Sequence, residues 1–158
     1  MSRATRLTHT DETGRARMVD VSAKPPVRRT AIARGFVSLA SETVRLVREN
    51  GIKKGDVLSV AKLAGIMGAK QTAALIPLCH QVDIEFVDVA LVLEDNGVEI
   101  ESVARCTDKT GIEMEALTAV SVAALTIYDM CKAVDRSMRI GPIELVEKMK
   151  DPAAEQER

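Results

Sequence analysis

Asp129 and Lys132 stand three positions apart at the end of a long uncharged run, a spacing that sets both side chains on one helix face. A carboxylate beside an ammonium is either a solvated surface pair, contributing about 0.3–0.5 kcal/mol, or, once desolvated, a proton-transfer couple. The neighbours Tyr128, Met130 and Cys131 favour burial. Glu113 and Glu115 open the same run. In extended chain their carboxylates point the same way, whereas a helix N-terminus favours acidic residues for simple capping. Glu115 and Asp129 are fourteen residues apart, about 21 Å along a helix that rises roughly 1.5 Å per residue. A small ligand that meets both therefore requires opposite ends of helices from two subunits.

The second cluster is Pro77-Leu78-Cys79-His80. His80 is one of two histidines, the other being His9 near the N-terminus. On a connection, His80 suits acid–base work near neutral pH, and a hydrogen-bonded surface ring is the plainer alternative. Zinc is disfavoured, because the adjacent Cys79 and His80 seldom ligate one ion and Cys106 and Cys131 lack finger-like spacing. No metal site is expected. Lys54, in Lys53-Lys54-Gly55-Asp56, precedes a helix start, where an ammonium and free N–H groups can hold phosphate; a solvated turn is the rival. Gly65-x-x-Gly68-x-Lys70 lacks phosphate-loop spacing. Its glycines suit close helix packing, and Lys70 is within reach of a neighbouring anion.

Several elements must position these groups. Ala116 to Ile127 holds no charge, Gly or Pro, which predicts a helix buried on nearly all sides, too short and too rich in Thr and Ser to span a bilayer. Val27 to Val37 reads as a strand, with Arg29, Ala31, Ala33 and Gly35 on one face. Ser41 is an expected N-cap for a helix running to Asn50 with Gly51 as its stop, and Asp56 an expected cap for a helix to about Leu75. From Val82 to Cys106 apolar residues alternate, with a slip at Phe86-Val87 that predicts a bulge and an Asn96-Gly97 hairpin turn. Met138 to Val146, with Pro142, suits an edge strand or loop. The sum is an α+β sandwich with helices on one face of a mainly antiparallel sheet.

The chain has 158 residues and a net charge of -1, which fits one domain and advertises neither nucleic acid nor an anionic membrane. Residues 1–17 read as a flexible arm, 18–149 as the single domain and 150–158 as a flexible tail. The polar N-terminus lacks the apolar core of a signal peptide. Three cysteines without C-x-x-C spacing point to a reducing cytoplasm.

Four strings carry a resemblance: M-V-D-V-S-A-K (18–24), K-G-D-V (54–57), I-P-L-C-H (76–80) and T-G-I-E-M-E-A-L-T-A-V-S-V-A-A-L-T-I-Y-D-M-C-K-A-V (110–134). In order and spacing, from about Leu7 to Lys148, the chain resembles the cyclic pyranopterin monophosphate synthases, the molybdenum cofactor biosynthesis protein C family. The resemblance implies a ferredoxin-like fold and a homohexamer, a trimer of dimers with pockets between subunits. It implies a lyase that turns 3′,8-cyclo-7,8-dihydro-GTP into cyclic pyranopterin monophosphate with release of pyrophosphate. Carried over by position, Asp129 and Lys132 match the catalytic acid–base pair, and His80 and Lys54 match further active-site groups. Leu78, Cys79, His80, Met114 and Glu115 match substrate contacts, Glu113 lies in the same acidic motif, and Arg29 and Lys70 match a family arginine and lysine. Gln81 departs from the proline that many members carry after the histidine. No cofactor is required on this reading, although Mg²⁺ can accompany the triphosphate. The rivals are a nucleotide-sensing binding module, which binds without consuming, and a structural assembly protein, which tolerates loss of His80, Asp129 and Lys132 together.

Overall fold

The computed structural model describes residues 14–151. The chain runs β1 (Val27–Ser38), α1 (Ser41–Arg48), α2 (Val57–Lys70), α3 (Thr72–Leu75), β2 (Phe86–Glu94), β3 (Gly97–Asp108), α4 (Glu113–Cys131) and β4 (Arg139–Asp151). The strands form one antiparallel sheet in the order β2-β3-β1-β4, the split β-α-β arrangement of ferredoxin-like folds. The expected α+β class is therefore observed. His9 and most of the expected arm and tail lie outside the described residues, while Lys150 and Asp151, assigned above to the tail, belong to β4.

The alternation in β1 explains why one sheet face takes the helices. Ala31, Ala33 and Val37 are fully buried beneath α4, while Arg34 on the other face donates to Glu101 at 2.7 Å. Gly35 is demanded by close approach, because a Cβ there would come 2.6 Å from Val120 Cγ1. The core joins Val89 of β2, Ile100 and Ala104 of β3, and Ala116, Val120, Ala123 and Ile127 of α4. α2 crosses α4 through glycines, as their spacing predicts: a Cβ on Gly65 would stand 2.8 Å from the Ala119 carbonyl oxygen, and one on Gly68 2.7 Å from Val122 Cγ2.

Five local expectations need correction. The α4 helix is not buried on nearly all sides, since Met114, Leu125 and Tyr128 remain exposed. At 19 residues it is also long and apolar enough, by length and composition, to cross a membrane, although half of that stretch is buried within the fold. Ser41 is the first residue of α1 and not its cap; the backbone N–H of Ala40 instead donates to Asp135 Oδ2 at 2.7 Å. That helix ends at Arg48, and Asn50, with φ of 53°, takes the left-handed turn ahead of Gly51. The expected bulge at Phe86-Val87 is absent: pairing is unbroken from Phe86↔Arg105 to Glu94↔Gly97, and before it, among the described residues, only the Glu85 N–H meets β3, donating to the Arg105 carbonyl oxygen at 3.0 Å. The irregularities fall between β1 and β4, near Ile32/Ala33 and Gly35/Val37. Asp56 does cap α2, accepting from Ser59 N at 3.0 Å.

Candidate active site

The sequence-predicted groups fall into two clusters at opposite ends of α4. The first gathers at its C-terminus. Lys54, on the turn before α2, donates to Asp129 Oδ2 at 2.5 Å and to the Asp129 carbonyl oxygen at 3.0 Å. Lys132 donates to Asp129 Oδ1 at 2.6 Å. The last turn of α4 holds no basic residue, so Lys54 brings from elsewhere the cation that a helix C-terminus favours. Lys132 first, then Lys54, holds the Asp129 carboxyl down to about 2, and Asp129 in turn pushes the Lys132 ammonium up.

This pair is open to water, contrary to the expected burial. The side chains of Asp129 and Lys132 are 54% and 58% exposed. Met130 and Cys131 turn inward, and steps of roughly 100° per residue carry Asp129 and Lys132 outward.

The second cluster lies at the N-terminus of α4. The loop after α3 and the β3–α4 connection enclose a cavity of about 300 Å³ lined by Leu78, Cys79, His80, Thr110, Gly111, Glu113, Met114 and Glu115. His80 Nε2 lies 2.6 Å from the Val19 carbonyl oxygen. That oxygen only accepts, so Nε2 carries the proton in this contact. Burial pushes the Cys79 thiol up, and Glu115 adds to the shift. The thiol therefore stays neutral near pH 7.

The two glutamates, on either side of Met114, live in different environments. Burial pushes Glu113 up, but an ion pair with Lys148, a backbone hydrogen bond and the field of Arg29 outweigh it, and the net shift is down. Glu115 is 3% exposed and its Oε2 has no hydrogen-bond partner. Burial pushes its carboxyl up, reinforced by Glu113 and Asp108. A pair of carboxyls held apart in this way offers one fixed anion and one group poised to exchange a proton.

Glu115 also borders a second cavity, of about 320 Å³, with Lys70, Gln71, Gln81, Val82 and Ile84. Lys70 thus joins the N-terminal cluster from the end of α2. Arg29 lies beside it but is occupied in clasping the β3–α4 connection, donating to the carbonyl oxygens of Asp108 at 3.0 Å and Lys109 at 3.1 Å. Among the described residues no group of three His, Cys, Asp or Glu side chains is placed to hold a metal ion; Cys106 and Cys131 are buried in the core.

Within one chain, then, Lys54, Asp129 and Lys132 meet, and Leu78, Cys79, His80, Glu113, Met114, Glu115 and Lys70 meet, but the two groups do not meet each other. Sequence reasoning missed Lys148, which has no local pattern tying it to Glu113. It also missed Thr110 and Gly111, and the carbonyl of Val19. The last three fall inside strings already singled out, which was the available signal.

A model of the MoaC family matches residues 18–151. A Peptoclostridium acidaminophilum protein named cyclic pyranopterin monophosphate synthase is 54% identical over 152 residues, covering 96% of this chain and 97% of that protein. One of the same name from Heliobacterium modesticaldum is 60% identical over 144 residues, covering 90% and 91%. A Chlorobaculum tepidum protein named molybdenum cofactor biosynthesis bifunctional protein is 52% identical over 151 residues, which span 94% of this chain and 48% of that longer one.

Proposed function

The chain belongs to the MoaC family, and from that membership we propose that it performs the reaction for which its relatives are named, cyclic pyranopterin monophosphate synthesis. It is an enzyme of molybdenum cofactor biosynthesis, a lyase acting on a GTP-derived small molecule. Its substrate is 3′,8-cyclo-7,8-dihydro-GTP, its products cyclic pyranopterin monophosphate and pyrophosphate. The observation that carries this reading is the convergence of Lys54 and Lys132 on Asp129, facing solvent where a phosphate chain can reach them.

The chemistry asks for two things that the clusters divide between them. Closing the cyclic phosphate requires a substrate hydroxyl to attack the α-phosphorus in line. One P–O bond forms, the bond to the bridging oxygen breaks, and pyrophosphate carries away the charge. Lys54 and Lys132 supply cations for that departing charge, joined from the N-terminal cluster by Lys70 and by the part of the Arg29 guanidinium left free of its backbone contacts. Opening one ring and closing another requires proton exchange, which His80, Glu113 and Glu115 offer in the N-terminal cavity. Lys132 acts mainly as general acid, with Asp129 setting its protonation. Leu78, Cys79 and Met114 shape the wall against the flat ring system.

Because the two clusters sit at opposite ends of a 19-residue helix, a single substrate reaches both only between subunits. The assembly is a homohexamer, a trimer of dimers with shared sites. It works in the cytoplasm, without nucleic acid or membrane as partner. No resident cofactor is needed, because the lysines meet the triphosphate directly, and Mg²⁺ enters, if at all, on the substrate. Incubating the purified protein with cyclo-GTP and measuring pyrophosphate and the cyclic product tests the assignment. Binding without pyrophosphate release would instead mark a binding module, and EDTA leaves turnover intact if the metal is dispensable.

A further inference from the structure

We propose that Gly111 is a positioning residue, left without a side chain so that the Glu113 carboxylate has a fixed seat in the cavity at the head of α4. That role rests on the reading above, in which Glu113 serves proton exchange. Gly111 and Glu113 line the same cavity. Arg29 clasps the connection just before them through the carbonyl oxygens of Asp108 and Lys109. The φ of Gly111 is not positive, so the left-handed conformation that favours glycine does not explain the residue. Space does. A Cβ built on Gly111 would fall inside the Glu113 carboxyl group, whose Oε2, Cδ and Oε1 are the three nearest heavy atoms. At Gly65 the obstacle includes the Ala119 carbonyl oxygen, which cannot move. At Gly111 it is the free end of a flexible side chain, which can turn to another rotamer. An added methyl therefore costs the fold little and costs the carboxylate its place.

The other sides of the seat are charged. Lys148 of β4 pairs with Glu113 Oε1, the Glu113 backbone N–H bonds the same carboxyl, and the field of Arg29 from β1 favours its ionised form. Together they outweigh the burial that pushes this group up. The Glu113 side chain is 19% exposed, which leaves it reachable from the cavity that His80 and Cys79 also line. The fixed charge is felt beyond Met114: after burial, Glu113 and then Asp108 of β3 raise Glu115. A carboxylate displaced by a methyl would leave Lys148 and its own amide and enter the cavity from another direction. A misplacement of about 1 Å is enough to lower turnover about 10²-fold.

Gly111→Ala tests the seat in two ways. Carbon NMR of the substrate-free protein follows the two carboxyls directly. Glu113 should titrate below the ordinary 4.5 in wild type and at or above it in the variant. Glu115 should move down yet stay above 4.5, because burial, its main cause, remains. An unmoved Glu113 midpoint overturns the proposal, as does a variant that no longer folds, since the methyl would then meet more than a carboxylate. The second test is a double-variant cycle read by turnover of cyclo-GTP. Gly111→Ala should lower kcat about 10²-fold with KM little changed. Combined with Glu113→Gln it should be no slower than Glu113→Gln alone, because the glycine acts through the glutamate. Losses that multiply would mean that the methyl obstructs the substrate on its own account, and the positioning role would fall. Full turnover by Glu113→Gln, or an inactive wild-type protein, would instead sink the role of Glu113 or the activity itself, while the titration still decides whether Gly111 seats the carboxylate.

Discussion

Lys54 and Asp129 are 75 positions apart in the chain and 2.5 Å apart in the fold. The contact ties the turn before α2 to the last turn of α4. It also fixes the charge of the carboxylate, which Lys132 and Lys54 together hold at about 2 against an ordinary 3.8. Because the folded value is depressed, any stability from this pair is present above the unfolded value and fades as pH falls from about 3.8 towards 2. The Asp129 carboxyl should therefore titrate near 2 by NMR and move up towards 3.8 in a Lys54→Ala, Lys132→Ala double variant. An unmoved midpoint would show that the lysines do not set it.

Lys132→Ala should abolish product formation while weakening substrate binding only modestly. Removing a group that acts in the transition state lowers kcat and kcat/KM together, and loss of a positioned proton donor costs about 10²–10⁴-fold. The side chain is exposed, so the melting temperature should not change. Single-turnover kinetics with cyclo-GTP check the prediction, and unchanged turnover would refute the role.

The resemblance and the local patterns made most of the fold legible, and the reasons are physical. Between Ala116 and Ile127 no Gly, Pro or charge interrupts the helix, so its body could be read directly, whereas its start at Glu113 stayed open between extended and helical chain. Asp56 capping Ser59 and the Asn96-Gly97 hairpin are local chemistry within a few residues. Asp135 reaching Ala40, His80 reaching Val19 and Lys148 reaching Glu113 are tertiary contacts, with no periodicity to announce them. Burial of Asp129 was misjudged because neighbours in sequence point in different directions on a helix.

Gly65 sets how closely α2 can approach α4. Its missing Cβ would stand 2.8 Å from the Ala119 carbonyl oxygen and 3.1 Å from Val89 Cγ2, and neither the helix backbone nor the packed valine can swing away. Gly65→Ala should therefore destabilise by about 1–3 kcal/mol through overpacking, despite the higher helix propensity of alanine. Thermal melts read this directly, and a melting temperature at or above wild type would contradict the packing argument.

Asp135 replaces the cap that Ser41 does not provide. It is buried, accepts from the Ala40 backbone at 2.7 Å, and takes both the N–H and hydroxyl of Ser137 at 2.8 and 2.7 Å. Asp135→Ala removes the acceptor of Ala40 and Ser137, both exposed enough to turn to water, so the cost is that of a lost helix cap, about 0.5–2 kcal/mol. The start of α1 should then lose hydrogen-exchange protection before the sheet does. Ser41→Ala, by contrast, should leave protection at that start unchanged.

Glu115 gives the sharpest pH signature, because its raised value reverses the usual carboxylate behaviour. Burial first, then Glu113 and Asp108, lifts it above the ordinary 4.5. A folded state that holds its proton more tightly than the unfolded chain loses stability as pH rises from about 4.5 through the folded value. Glu115→Gln keeps the shape and removes the ionisation. Its melting temperature should match wild type at pH 4 and exceed it increasingly as pH rises above about 4.5, levelling off beyond the folded value, while turnover falls because the amide cannot accept a proton. A difference independent of pH would mean that Glu115 titrates normally, and the proton-exchange role given to it in the cavity would then fail.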